Sequence, residues 1–153
     1  MKAVLQITEK ARLTCEGQLI SECGKGMCIL LGIQESDTKE IADQMIDKIL
    51  KMRIFADEKG KLNRSALDVG ADVLLVSNFT LCANLSSRRP DFMGAMKFAP
   101  AKELYDYTLK KMQAYADEAE GSARVFPGVF GGDMKVEIVN DGPITIWVDS
   151  RDF

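Results

Sequence analysis

Apolar residues along this chain follow two patterns, one typical of strands and one typical of helices. Continuous or alternating apolar runs of four to seven residues predict strands. A hairpin turn at Glu16-Gly17 is expected between two of these strands. The predicted strands in the first half of the chain are Lys2–Thr8, Arg12–Cys15, Gln18–Ile20, Met27–Ile33 and Val73–Val76.

Two longer segments carry apolar residues three or four positions apart, which predicts amphipathic helices. The first follows Ser36-Asp37, residues that favour the N-cap of a helix. The second has Pro100 in its first turn and is expected to end at Gly121. The apolar faces are Ile41, Met45, Ile49 and Met52 in the first helix, and Tyr105, Leu109, Met112 and Ala116 in the second.

The rest of the chain is rich in β-forming residues, with strands predicted over Arg124–Phe130, Met134–Val139 and Ile144–Val148. Gly142-Pro143 lies between the last two and predicts a tight turn, with a trans peptide because cis occurs in only about 5–6% of X-Pro bonds. The elements together predict an α+β fold. We expect a strongly curved mixed β-sheet, or partly open barrel, with two main helices in a single domain spanning residues 1–153.

Length and composition agree with one globular domain. The chain has 153 residues, of which 46% are hydrophobic and 28% charged. No run approaches the roughly 20 apolar residues of a membrane span. The first residues lack the apolar core and cleavage site of a secretory signal, so we expect a cytoplasmic protein with no membrane partner.

The chain has four cysteines without CxxC spacing and no histidine. The lack of histidine excludes Ser-His-Asp and Cys-His catalysis and most metal-hydrolase mechanisms. Free buried thiols are the simplest interpretation of the cysteines, and we expect neither a metal nor another cofactor. An enzyme with this composition must obtain its proton transfers from outside its own side chains.

A net charge of −3 argues against a strongly basic nucleic-acid binder, and we expect no DNA partner. A few cations nevertheless cluster after the middle of the chain, at Arg88, Arg89, Lys97 and Lys102. Such a cluster is often only a solvated face. A protein that holds just the end of an RNA needs few phosphate contacts, so RNA-end binding also remains open.

Two short strings carry the candidate chemistry. Ser77-Asn78-Phe79-Thr80-Leu81 follows a buried strand and can present backbone N–H groups and hydroxyls that hold a developing oxyanion. The alternative is an ordinary turn in which Ser and Thr satisfy the local backbone. Gly142-Pro143 gives a rigid turn that can act as a steric wall.

The two strings, in this order, resemble the paired motifs of the D-aminoacyl-tRNA deacylases. In that family the first reads Ser-Gln-Phe-Thr-Leu and the second Asn-x-Gly-Pro-Val-Thr. The resemblance extends along the whole chain, through Ala3–Gln6, Lys48–Leu50, Arg53–Phe55, Leu67–Gly70, Arg89-Pro90, Phe130–Met134 and Val139–Pro143.

The resemblance implies a homodimer that hydrolyses D-aminoacyl-tRNA, and glycyl-tRNA, while sparing L-aminoacyl-tRNA. Its partner molecule is the aminoacylated 3′ end of tRNA, and the neighbouring ribose 2′-hydroxyl helps to activate water. Ser77, Asn78, Phe79 and Thr80 would form the catalytic site, with the N–H groups of Phe79 and Thr80 holding the carbonyl oxygen.

The resemblance also assigns residues that bind and select the substrate. Gly142 and Pro143, with a cis peptide, would enter the partner subunit's active site and reject L-aminoacyl groups. The residues implied to bind the tRNA end are Arg88, Arg89, Ala95 and Met134.

The sequence departs from the family pattern in three places: Asn78 replaces Gln, Ile7 replaces an Arg that helps to fix the Gly-Pro turn, and the pair Ser86-Ser87 replaces Lys-Gly. A deacylase of relaxed chirality that accepts small L-residues therefore stays as an alternative. A non-catalytic dimer that binds the tRNA end is another. A third, an acyl hydrolase with Thr80 as nucleophile, lacks a base to activate the hydroxyl.

Overall fold

Eight strands and three helices form the part of the chain that the computed structural model describes, residues 1–119 and 123–153. The strands are β1 Lys2–Cys15, β2 Gln18–Cys23, β3 Gly26–Gly32, β4 Phe55–Ala56, β5 Leu62–Arg64, β6 Asp72–Ser77, β7 Arg124–Pro127 and β8 Met134–Asp149. The helices are α1 Lys39–Lys51, α2 Ala66–Val69 and α3 Phe98–Asp117. No helix within these described ranges is long and apolar enough to cross a membrane.

Six of the strands form one curved mixed sheet in the order β2-β1-β3-β6-β7, with β8 also paired to β1. Strands β2, β3 and β8 run antiparallel to β1, whereas β6 is parallel to β3 and β7 is parallel to β6. The Ser21 hydroxyl of β2 donates to the carbonyl of Pro127 in β7 at 2.7 Å. The two ends of the sheet therefore meet, and the predicted fold class of a curved sheet or partly open barrel is confirmed.

Strands β3 and β6 are covered on both faces, as their continuous apolar runs predict. Met27, Ile29 and Leu31 pack into a core shared with α1 and α3. Cys28 and Leu74 point to the opposite side, where a second core fills the barrel interior. Two buried parallel strands thus end together at one place in the fold, and the turn that begins at Asn78 is anchored to this rigid base.

Strand β1 corrects one prediction. Lys2–Thr8 and Arg12–Cys15 form a single strand, although Glu9 and Lys10 interrupt the apolar pattern. The backbone continues through these exposed residues because β8 pairs with β1 along nearly its whole length. Hydrogen bonding by a distant strand outweighs the local pattern here.

The helix boundaries also differ from the sequence prediction. Thr38, not Ser36-Asp37, is the N-cap of α1, and its hydroxyl accepts from the N–H of Ile41. The Asp37 carboxylate instead is buried and accepts from the Met1 ammonium and from the N–H of Gln34. Helix α3 ends at Asp117, and the predicted stop at Gly121 lies outside the described residues.

Other short elements were not predicted correctly, among them the strands β4 and β5, which were not predicted at all. The short helix α2 was missed, although Ser65 and Asp68 form a capping box at its start. Strand β7 ends at Pro127, three residues before the predicted end at Phe130, and the chain then turns towards β8.

The prediction of a tight turn at Gly142-Pro143 between two separate strands is wrong. Residues on both sides of it pair with the same strand: Val139 lies opposite Lys10, and Thr145 lies opposite Gln6. The Gly-Pro pair is therefore the tip of a bulge within one long strand, β8. Its peptide bond is cis, as the family resemblance implies and contrary to the expectation from the residues alone.

Candidate active site

A cleft of about 600 Å³ opens where β3 and β6 end and α3 begins. This volume falls within the range of pockets that hold one small organic ligand. Apolar and small side chains make up most of its wall. The lining residues are Leu31, Ile33, Ser77, Asn78, Phe79, Phe92, Met93, Ala95, Met96, Lys97, Phe98, Ala101, Phe130, Gly131, Gly132 and Met134.

One wall is a tight turn that follows β6 directly. The N–H of Asn78 donates to the carbonyl of Leu31 at 2.7 Å, which continues the parallel pairing by one residue. A 3₁₀ turn, Phe79–Cys82, begins immediately afterwards with Asn78 as its N-cap. The Asn78 Oδ1 accepts from both the N–H of Thr80, at 3.2 Å, and the Thr80 hydroxyl. A short polar side chain thus fixes the turn at the end of a buried strand.

The two predicted oxyanion donors, the N–H groups of Phe79 and Thr80, have different surroundings in this turn. The Thr80 N–H is already engaged by the Asn78 side chain. Within residues 1–119 and 123–153, no hydrogen bond occupies the N–H of Phe79. In the described residues the Phe79 N–H is thus without a partner, whereas Asn78 holds the Thr80 N–H.

A loop after β7 forms the opposite wall, and Tyr105 of α3 positions it. The buried Tyr105 hydroxyl donates to the carbonyl of Leu75 at 2.8 Å and accepts from the N–H of Gly128 at 3.2 Å. Burial raises the pKa of Tyr105 to about 12, so the phenol stays protonated. From the sequence, this residue was predicted only as part of a helix face. The 23-residue separation between Tyr105 and Gly128 leaves no local signal for the contact.

Ionisable groups are scarce around the cleft. Among its described lining residues, Lys97 alone carries a charge. Burial raises the pKa of the Cys23 and Cys28 thiols to about 12, so neither is a reactive thiolate. Cys82, the last residue of the turn, also has a raised pKa because it is buried. No group of three metal-binding side chains occurs in the described ranges.

A wall of fixed donors and apolar groups suits the binding of a neutral ester and the stabilisation of a developing oxyanion. Comparison with known proteins supplies the family. The sequence profile of the D-Tyr-tRNA(Tyr) deacylase family matches residues 4–149. The chain belongs to that family.

Curated relatives agree with this assignment over their whole length. The D-aminoacyl-tRNA deacylase of Caldicellulosiruptor saccharolyticus is 41% identical over 152 residues, which is 99% of this chain and 98% of that protein. The D-aminoacyl-tRNA deacylase of Clostridium kluyveri is 43% identical over 153 residues, with the same two coverages. The predictions that the chain belongs to this family and is an enzyme of the deacylase class are confirmed.

Solved structures agree as well. A protein named c-Myc DNA Unwinding Element Binding Protein has a TM-score of 0.89 and 39% identity, over 97% of this chain and 98% of that one. A eukaryotic protein described as a probable D-amino acid tRNA deacylase has a TM-score of 0.84 over 96% and 97% of the two chains. At 16% identity the second shows the shared fold alone.

The structure brings together about half of the residues that the deacylase resemblance implies. Ser77, Asn78, Phe79, Ala95 and Met134 all line the cleft. Thr80 follows in the same turn and is exposed.

The remaining implied residues lie elsewhere. Arg88 and Arg89 are on an exposed segment and are not part of the cleft wall. Gly142 and Pro143 are exposed at the tip of the β8 bulge, and they do not line the cleft of their own chain.

Asn140 braces the bulge that carries Gly142 and Pro143. Its Nδ2 donates to the carbonyl of Ile7 at 2.8 Å and to that of Ile144 at 3.1 Å, which links the two arms of the bulge to β1. The Thr145 hydroxyl donates to its Oδ1 at 3.2 Å. Asn140 was not among the predicted site residues, although it opens the second family motif.

Proposed function

We propose that the chain hydrolyses the ester bond of D-aminoacyl-tRNA, releasing the free D-amino acid and the tRNA, and that it also accepts glycyl-tRNA. The observation that carries this proposal is the composition of the cleft in a chain of the deacylase family. A backbone N–H donor lies at the cleft wall, and the described lining residues include no acid and no base other than Lys97. Such a site positions and polarises an ester without taking part in covalent chemistry.

In the proposed reaction the ester carbonyl oxygen accepts a hydrogen bond from the N–H of Phe79. Water attacks the carbonyl carbon, and the oxygen gains the negative charge that this donor stabilises. The tetrahedral intermediate then collapses, the bond to the ribose 3′-oxygen breaks, and that oxygen receives the proton lost by the water. The neighbouring 2′-hydroxyl relays the proton, because Lys97 is the only ionisable side chain among the described residues of the cleft wall. One preorganised donor of this kind contributes about 10²–10³ in rate.

Chiral selection is proposed to come from a second copy of the chain. Gly142 and Pro143 protrude at an exposed bulge and are absent from the wall of their own cleft, which supports a role in the cleft of a partner. Their carbonyl groups would occupy the space into which an L side chain projects. A hydrogen atom, as in glycine, or a D side chain would meet no obstruction there.

The decisive experiment compares D-Ala-tRNA, Gly-tRNA and L-Ala-tRNA at equal concentrations of purified protein. We expect the first two to be hydrolysed and the third to be spared. Light scattering should give about twice the chain mass of 16.9 kDa, and EDTA should not reduce the rate. Similar rates for D-Ala and L-Ala would replace chiral proofreading by the relaxed-chirality alternative. Protection of all three esters would replace catalysis by tRNA-end binding.

A structural relative named as a DNA-binding protein gives a reason to test a second activity. The net charge of −3 provides little attraction for duplex DNA. We therefore expect a DNA duplex, added in excess, to leave the deacylation rate unchanged. Strong competition at physiological salt would favour nucleic-acid binding of a broader kind.

A further inference from the structure

Aromatic and apolar side chains gather at the mouth of the cleft with much of their surface in solvent. Phe79 is 59% exposed, Phe98 is 66% exposed and Met93 is 85% exposed. Single exposed apolar residues are common, but a group of them around one opening indicates a surface that binds a partner. These side chains offer a bound substrate a contact surface beyond the cleft itself.

Phe98 is one of these side chains, and its ring is packed from two sides. It is the first residue of α3, and its ring lies so close to Gly131 that a Cβ at that glycine would come within 2.7 Å of the ring. The Phe130 ring contacts it edge-on, with centroids 5.2 Å apart. The ring is thus fixed from two sides while most of its surface stays open.

A cation stands next to this ring. Lys97 directly precedes Phe98, is exposed and lines the cleft. In the described part of the chain no carboxylate lies within salt-bridge distance of Lys97, whereas nearby Lys102 is paired with Asp106 at 2.6 Å. The pair Lys97-Phe98 therefore offers an uncompensated positive charge beside an open aromatic face, which is the combination that binds single-stranded nucleic acid.

We propose that Lys97 and Phe98 bind the nucleotide that precedes the terminal adenosine of the substrate. The inference rests on the proposed function. A cleft of about 600 Å³ holds one aminoacylated nucleoside. The ester is at the 3′ end of the strand, so the chain leaves the cleft towards its 5′ side, over the mouth. Phe98 stacks on the preceding base there, and Lys97 neutralises the phosphate that joins the two nucleotides.

The test uses two small substrates, the D-tyrosyl ester of adenosine and the D-tyrosyl ester of the dinucleotide cytidylyl-adenosine. Wild-type protein is expected to show a higher kcat/KM for the dinucleotide ester. Phe98→Ala is expected to reduce this advantage by about 5- to 150-fold, the range that stacking on one base gives. Phe98→Tyr should keep the dinucleotide advantage, because the ring remains. Phe98→Leu should lose this advantage, although leucine still covers Gly131 with an apolar side chain.

The charge is tested separately by the salt dependence of kcat/KM for the dinucleotide ester. Lys97→Gln should reduce the slope of log kcat/KM against log salt by about 0.7, as expected for one phosphate contact on a single strand. Lys110→Gln and Phe153→Ala are matched controls, since neither side chain lines the cleft. Neither control should change the dinucleotide advantage.

Several results would overturn the inference. An equal loss on both esters in Phe98→Ala would place the ring on the terminal nucleoside, and full retention in Phe98→Leu would exclude stacking. If Phe98→Ala changed the oligomeric state, seen as a different mass in solution, but kept the dinucleotide advantage, the exposed side chains at the cleft mouth would belong to a protein interface. Wild-type hydrolysis of the adenosine ester without any dinucleotide advantage would refute this inference alone. Hydrolysis of neither ester, nor of D-Tyr-tRNA, would refute the proposed function together with it.

Discussion

Replacing Gly32 by alanine is expected to disturb catalysis from beneath the active-site turn. Gly32 is the last residue of β3 and lies against the turn that presents the Phe79 N–H. A Cβ at this position would be 2.9 Å from the Cβ of Leu81, and 3.2 Å from both the carbonyl oxygen of Asn78 and the Sγ of Cys82. The Leu81 Cβ and the Asn78 carbonyl oxygen are fixed to the backbone and cannot rotate away, so the turn itself must move.

The size of the movement is set by ordinary contact distances. Carbon atoms rest about 3.5–4.0 Å apart, so the turn has to shift by roughly 0.6–1 Å. A misplacement of about 1 Å can reduce the rate about 10²-fold, and we expect kcat to fall by about 10- to 100-fold. Overpacking of this kind also costs about 1–3 kcal/mol of stability. For a domain of this size that corresponds to a decrease in Tm of about 2–12 °C.

The assay is single-turnover deacylation of D-Tyr-tRNA, combined with thermal unfolding of the same samples. Gly24→Ala is the matched control, because its Cβ would meet only the Asp72 carboxylate at an ordinary 3.5 Å. We expect this control to behave like wild type. Gly32→Ala with a lowered Tm but an unchanged kcat would refute the argument that the position of this turn sets the rate.

Three further predictions concern side chains around the site and at the end of the chain. Thr80→Ala should keep at least about a tenth of the deacylation rate, because the hydroxyl only donates to Asn78 and the Phe79 donor survives. Asn140→Ala removes the two hydrogen bonds that Nδ2 donates to backbone carbonyls and the one that Oδ1 accepts from the Thr145 hydroxyl. Each is worth about 1 kcal/mol, so the Gly-Pro bulge should loosen and the ratio of L-Ala to D-Ala hydrolysis should rise about tenfold. The Arg151 guanidinium, by hydrogen bonding, lowers the pKa of Asp149 from 3.8 to about 2. The unfolded chain therefore binds more protons than the folded protein between about pH 4 and 2. As the pH falls through this window, the free energy of unfolding should decrease by about 1 kcal/mol, a value lowered to allow for solvent screening of the exposed arginine.

For each of these three predictions, one experimental result would contradict it. Trapping a covalent acyl group on Thr80 would establish nucleophilic catalysis in place of the RNA-assisted mechanism. An unchanged chiral ratio in Asn140→Ala, in a protein that unfolds at a lower temperature, would limit Asn140 to a structural role. For Asp149, the comparison is Arg151→Gln, with urea denaturation at pH 2 to 5. An equally steep loss of stability in that variant would show that another carboxylate is responsible.

The family was predictable because two short motifs identify it, and the cleft was predictable because the first of these motifs follows a buried strand. A continuous apolar run such as Val73–Val76 fixes where a central strand ends, and the polar residues after it must then lie at that end. The capping role of Asn78 was also within reach, since an Asn side chain commonly accepts a hydrogen bond from the backbone two residues on. The alternative interpretation of the string as an ordinary capped turn describes that contact correctly.

Contacts between distant parts of the chain were not predictable. The continuity of β1 depends on pairing with β8, more than a hundred residues later. Tyr105 has the spacing of any core residue on a helix, and only the folded structure brings its hydroxyl to Gly128. Phe98 was overlooked for a related reason: its exposure is set by a loop after β7 that closes one side of its ring.

The bulge in β8 separates two arms of one strand that serve different cores. Strand β1 advances four residues from Gln6 to Lys10 while β8 covers six from Val139 to Thr145. Ile138, before the bulge, packs against the core of the barrel interior, whereas Ile146, after it, packs against the core shared with α1 and α3. Shifting the register of either arm by one residue would exchange its inward-facing and outward-facing side chains. A change of length is therefore costly in either arm, whereas the bulge itself, whose residues 141–144 have no partner in β1, is the part of β8 best able to absorb one.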